Sequence, residues 1–219
     1  MSMLFAMLSI TSKQADFIRA NQSLANDLAQ VAWDDAWEIV TRKMIEQLPL
    51  ERRLQAEERD QEMRQSPESR EAREELEHAR QRLSGLGPLE PALILDKSWH
   101  ILHYTFTRDI GPIGSPGDAL LIGEEVGGDM GYGPPRILNI PEVRAFADFL
   151  SVQTIRDLQE RLNYDAMANA GVYSLPMGQG AKADYERDMR RELATYYPLL
   201  QNYVAEAAAK RNGLLMWLT

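Results

Sequence analysis

GPIGSPGDALLIGEEVGGDMGYGPPR, residues Gly111–Arg136, holds eight of the chain's 14 glycines and four of its 11 prolines. Glycine admits positive φ and close backbone approach, and proline fixes φ and removes a donor, so this path has a shape set by its own residues. Inside it the apolar run Ala119–Ile122 reads as a short buried strand. Two acids follow (Glu124, Glu125), then Gly127-Gly128-Asp129 and Gly131-Tyr132-Gly133-Pro134-Pro135-Arg136. Just upstream, residues 96–107 read as a helix capped by Asp96, carrying Trp99, His100 and His103 and so two of the three histidines. The helix and the glycine-rich segment are expected to face each other.

Toward the C-terminus, residues 137–140 read as another short strand and Pro141 opens a helix carrying Val143, Phe146 and Leu150. Thr154 caps a continuation through Leu158 and Leu162, residues 165–170 form a brief helical turn, and 172–180 form a loop. Residues 181–211 read as a long amphipathic helix with Tyr185, Met189, Leu193, Tyr196, Leu200, Tyr203 and Ala207 inward and a kink at Pro198. Asn212-Gly213 stops it. Leu214–Leu218 is then an apolar strand that must be paired inside a sheet, since it would otherwise be an aggregation edge.

Toward the N-terminus, Met3–Ile10 suits a buried strand, and Thr11 or Ser12 caps a helix with Phe17 and Ile18 inward. Residues 21–30 look like a broken or second short helix. Trp33, Trp37, Val40, Met44 and Leu48 then mark one apolar helix face, interrupted at Pro49. Residues 51–83 carry ten acids and eight arginines, a net of −2 that leaves −7 of the chain's −9 elsewhere. Ser66-Pro67 starts a further helix whose Ala72, Leu76, Ala79 and Leu83 form a narrow seam, and Gly85, Gly87 and Pro88 end it. Residues 31–84 are therefore expected to form a charged helical arm, either laced by its own ion pairs or binding a partner or a second copy. Trp33 and Trp37 would anchor it to the body, or offer an aromatic hot spot.

The whole reads as an α+β protein of 219 residues, with about four short strands in a small mixed sheet and six or more helices. A net charge of −9 gives no basic excess to displace counterions, which argues against a nucleic-acid partner. No stretch approaches a membrane span, and the apolar N-terminus lacks the basic flank and cleavage site of a signal peptide. With no cysteine there are no disulfides or thiolate metal sites, and the expected setting is the cytoplasm.

For chemistry, Trp99, His100, His103, Glu124, Asp129, Tyr132 and Arg136 are the candidates for a small cleft, since carboxylates beside imidazoles supply the parts of acid–base catalysis. Asp129 and Arg136 are spaced to pair across a tight turn. The i,i+3 histidines lack the i,i+4 spacing and intervening glutamate of the zinc-protease helix, so no metal is expected. Gly131-Tyr132-Gly133 lacks the third glycine of a dinucleotide fingerprint, no Gly-Lys-Ser/Thr is present, and no cofactor is expected. No nucleophile or oxyanion site can be named.

Leu95-Asp96-Lys97-Ser98-Trp99-His100 with His103, then Gly128–Pro134 with Arg136, and the ending Met216-Trp217-Leu218 together resemble the YfbM-like family of small bacterial proteins of unknown function. The resemblance covers the first strand and helix and residues 93 to the end. It implies a single α+β domain over 1–219, with 31–84 inserted as an arm, and it brings no established activity. The expected function is protein binding, in one form an immunity- or antitoxin-like inhibitor whose acidic surface steers onto a basic target. The alternative is a small-molecule-binding or hydrolytic enzyme using the cleft between the Trp99–His103 helix and the Gly127–Arg136 turn.

Overall fold

Two uninterrupted apolar runs set the architecture. Strand β1 (Phe5–Ile10) and strand β5 (Gly213–Leu218) are buried along their whole length and pair antiparallel, with Phe5 opposite Leu218 and Ile10 opposite Gly213. Such runs occur where both faces of a sheet are covered. The computed structural model describes residues 3–47, 49, 52–56, 59–60, 66–173, 175 and 182–219. Within these, β2 (Leu93–Asp96), β3 (Glu124–Glu125) and β4 (Arg136–Leu138) complete an antiparallel sheet of order β2-β1-β5-β4-β3.

Successive side chains point to opposite faces, so the sheet divides the core in two. Phe5, Met7, Leu138, Leu214, Met216 and Leu218 face one layer, while Ala6, Leu8, Ile10, Ile137, Leu215 and Trp217 face the other. The first layer is built from α4 (Ser98–Thr107), α5 (Ile140–Ser151), α6 (Ile155–Glu160), α7 (Tyr164–Ala170) and α8 (Lys182–Ala209). The second is built from α1 (Ser12–Ala20), α2 (Ser23–Glu46) and α3 (Pro67–Arg82).

The α+β class and the internal position of the last strand agree with the sequence, but among the described residues the sheet has five strands, all antiparallel, where the sequence suggests about four in a mixed sheet, and four local expectations also differ. Ala119–Ile122 is not a strand, because Ser115, Pro116 and Asp118 make a capping box that folds Pro116–Leu120 into a 3-10 turn. Asp96 does not cap α4. It closes β2 in the left-handed region (φ 51°), and Lys97 precedes the helix with no side-chain cap. The break expected over 21–30 lies at Asn21-Gln22, after which α2 runs unbroken for 24 residues. In α8 the interior positions are Met189, Leu193, Tyr197, Leu200, Val204 and Ala207, leaving Tyr196 and Tyr203 partly buried at the margin. Pro198 lies inside α8 without ending it. Leu48 and most of the 172–180 loop lie outside the described residues.

The turn into β5 is held by polar contacts. Asn212 donates to Ser9 Oγ at 2.9 Å, and Gly213 sits where an added Cβ would be 2.8 Å from the Leu138 carbonyl. The Ser9 amide donates to the Tyr203 hydroxyl at 2.8 Å, and that hydroxyl donates to Pro91 O at 3.0 Å. Tyr203→Phe therefore strands a buried amide and is expected to destabilise the fold by about 1–3 kcal/mol, read from urea unfolding. An unchanged midpoint would show that the amide finds another partner.

Candidate functional site

The Trp-His helix is buried on every side that matters for chemistry. His103 is 0 % exposed and His100 8 %, and Trp99 lies with them in the core of the first layer. Their rings form a stack with Phe5: centroids are 6.0 Å apart for Phe5–Trp99, 4.7 Å for Trp99–His100 and 6.3 Å for His100–His103. Arg108, in the left-handed region, ends the helix and turns the chain back over the histidines.

Hydrogen bonds fix the state of both rings. The Tyr173 amide donates to His100 Nδ1 at 2.8 Å, so the proton of neutral His100 sits on Nε2. His103 Nε2 lies 3.3 Å from the Gly111 carbonyl and donates to it in the neutral ring. His100 Nε2 and His103 Nδ1 have no hydrogen-bond partner, and neither does the Asp118 Oδ1 that lies buried in the covering turn. Asp118 Oδ2 accepts from the Ile113 and Ser115 amides at 2.9 and 2.7 Å and so clamps that turn shut. Burial pushes both imidazoles below their ordinary pKa of 6.5, with His103 adding repulsion to His100 and loop carbonyls partly opposing the shift.

The other candidates are distributed differently. Glu124 pairs with Arg19 of α1 at 2.8 Å. Asp129 accepts from the Gly131 and Gly133 amides at 2.7 and 2.8 Å, which stabilises its charged form and lowers its pKa. Arg136 donates to the Leu121 carbonyl at 2.8 Å, and burial lowers its pKa despite nearby Glu125. Asp129 and Arg136 thus serve separate backbone groups and not each other. Tyr132 is partly buried at the edge of the layer that contains Trp99.

The glycine-rich segment changes face partway along. Its first half, the 3-10 turn, docks on α4, Val126 and Met130 pack with α2 in the other layer, and Tyr132 returns to the first. On the α2 side the Gly128 amide donates to Asn26 Oδ1 at 2.9 Å and Asn26 Nδ2 donates to Gly128 O at 3.1 Å. Gly127 (φ 77°) passes so close that a Cβ would fall 2.3 Å from the Asn26 oxygen. The structure therefore brings Trp99, His100 and His103 together, with Asp118 as an unforeseen neighbour, and places the Asp129 loop elsewhere. Ser115-Pro116-x-Asp118 carried a readable signal for that neighbour, whereas nothing local announces Tyr173. Among the described residues no three His, Cys, Asp or Glu side chains converge to hold a metal, and no helix is long and apolar enough to cross a membrane.

Among the described residues, one open groove lies on the arm. About 1000 Å³ in volume, it runs between α2 and α3, lined by Asp27, Asp34, Trp37 and Thr41 on one side and by Ala72, Leu76, Arg80 and Arg82 on the other. Its base is cross-braced: Arg82 makes a two-pronged contact with Asp27 at 2.7 and 2.8 Å, and Arg80 reaches Asp35 at 2.6 Å. Above that brace, no described residue between 37 and 75 is buried. Trp33 packs on the body and stacks with Trp37 (centroids 5.7 Å), which is itself 47 % exposed.

Two outcomes follow for this region. The unfolded chain binds protons on its histidines below pH about 6.5, while the native rings stay neutral to lower pH. Stability is therefore complete above pH 6.5 and falls as pH drops below it; His103→Gln should flatten that slope in urea titrations, and an unaltered slope would clear His103 of responsibility. Asn26→Ala should speed hydrogen exchange at the Gly128 amide without changing protection in β1, as read by NMR.

No curated protein sequence matches the chain. The fold is similar to the crystal structure of YfbM, a protein of unknown function from Escherichia coli, with a TM-score of 0.54 and 14 % identity over 99 % of each chain. That likeness concerns the fold alone. A family model described as a domain of unknown function, DUF1877, matches residues 1–217, and the chain belongs to that family.

Proposed function

We propose that this protein is a cytoplasmic protein-binding module whose docking surface is the α2–α3 hairpin. The observation that carries the reading is the clustering of apolar surface on a segment with no core of its own. Of the nine large hydrophobic side chains exposed among the described residues, five fall on it: Trp37, Ile39, Val40, Met44 and Leu54. Unlike scattered single exposures, a contiguous apolar patch with a polar rim marks an interaction site. Tryptophan and methionine beside a groove between two helices are the parts of a helix-in-groove recognition surface. The acidic body, which holds most of the −9, would favour a basic target, and an immunity-like inhibitor is one form of this reading.

The enzyme alternative draws no support from Trp99, His100 and His103, which are 4 %, 8 % and 0 % exposed. A photo-crosslinking amino acid at position 37, compared with one at Val152, tests the proposal in cells of the native host. Val152 is 73 % exposed on the body and serves as a control for accessibility. Irradiation should give a discrete covalent protein adduct from position 37 only. Absence of any adduct at 37, or equal labelling at both positions, would remove the hairpin as a docking surface.

A further inference from the structure

We infer that the partner of the α2–α3 groove is α2 of a second copy of this chain, laid antiparallel so that Trp37 of each copy meets Met44 of the other. The inference rests on the hairpin being a docking surface and names what docks there.

Trp37, Val40, Thr41 and Met44 are spaced i, i+3, i+4 and i+7, which puts them on one face of α2. Val40 continues the stripe of Ala25, Ala29, Ala32 and Ala36, which are buried, while Trp37, Thr41 and Met44 lie roughly a quarter turn or more round the helix from it. Trp37 and Thr41 line the groove, and Met44 is 63 % exposed one turn further out. The stretch WEIVTRKM, residues 37–44, is chemically self-complementary when read against its own reverse. A two-fold axis between Val40 and Thr41 sets Trp37 opposite Met44 and Val40 opposite Thr41, with thioether on indole, a favourable contact.

The charges agree with the same axis. Glu38 and Arg42 share one flank of the helix and form an exposed pair at 2.9 Å within the chain. Across the dyad, Glu38 of each copy falls beside Arg42 of the other, giving a ring of four alternating charges. A parallel arrangement would set Trp37 against Trp37 and Met44 against Met44 and would carry the two Glu38–Arg42 flanks to opposite sides of the interface, so the cross-pairing of charges would be lost. Across the groove Ala72 is small and exposed, which leaves room for an incoming helix beside Leu76 and Ala79.

The full chain, with native sequence and in dilute salt, should show by light scattering twice its 24.9 kDa mass. Trp37→Glu or Met44→Glu should raise the dimer dissociation constant at least about thirtyfold, as expected for an aromatic contact at the centre of an interface. Glu38→Arg should weaken the dimer, and Glu38→Arg with Arg42→Glu should restore it, a rescue that loss of folding would not give. Because the chain has no cysteine, Thr41→Cys places a single thiol at the axis; a short bis-maleimide should join two copies through it, and not through Val152→Cys.

A monomer at every attainable concentration overturns this inference, as does a dimer that survives Met44→Glu or crosslinks equally at 152. A photo-adduct at position 37 with a different protein would overturn the self-pairing while leaving the docking surface in place. Absence of any adduct at 37, or equal labelling at 37 and 152, removes both.

Discussion

Strand β5 has no side chain in water, and that constraint governs the rest of the fold. Its alternate residues fill two separate cores, Leu214, Met216 and Leu218 on one side and Leu215 and Trp217 on the other, while β1 and β4 take up its two backbone edges. A slip of one residue would exchange the faces and put Trp217 where Met216 fits. The entry to the strand is fixed accordingly. Arg211 adopts a left-handed conformation, Asn212 is tied to Ser9, and Gly213 is pressed against the Leu138 carbonyl. The helices of both layers then have defined surfaces to cover.

What the sequence displayed well were the elements whose signal is local and strong. The apolar runs of β1 and β5 could only be buried strands, and Ser66-Pro67 and Pro141 announced helix starts that the structure confirms, although Asn139, read as part of a strand, is the cap of the second. Ala119–Ile122 misled because a short apolar run looks the same in a strand and in a buried turn, and the polar box at Ser115 and Asp118 was the deciding feature. β2 was hidden by its brevity and by Asp96, whose left-handed backbone is a tertiary matter. The candidate cleft illustrates a different difficulty. Glu124 and Asp129 lie near the histidines in sequence, but the chain passes from one layer to the other at the β3–β4 edge. Arg19, which pairs with Glu124, and Asn26, which holds the backbone of Gly128 next to Asp129, come from more than a hundred residues upstream.

The body and the hairpin are held together by different physics. In the body, long alternating cores bury whole side chains, each worth about 1.5–3 kcal/mol. Beyond Ala36 and Leu76 the described residues of the hairpin offer exposed apolar groups and the Glu38–Arg42 pair, and an exposed i,i+4 ion pair contributes only about 0.3–0.5 kcal/mol. Arg82 on Asp27 and Arg80 on Asp35 orient the two helices at the root, so the direction of the arm is set where the body ends. The histidine stack is the opposite case: polar groups enclosed by the core, held neutral, and sealed by the turn that Asp118 clamps.

Pairing the first strand with the last has a consequence for how the molecule is made. Phe5 pairs with Asp96 of β2 on one edge and with Leu218 on the other, so β1 leaves the ribosome long before the strand that completes its second edge exists. The most apolar stretch of the N-terminal region must therefore travel through synthesis with a bare edge. Contacts this distant in sequence form slowly and leave partly built chains prone to stick to one another. Production of this protein is thus a race between translation and aggregation, which the chain can win only once β5 has emerged.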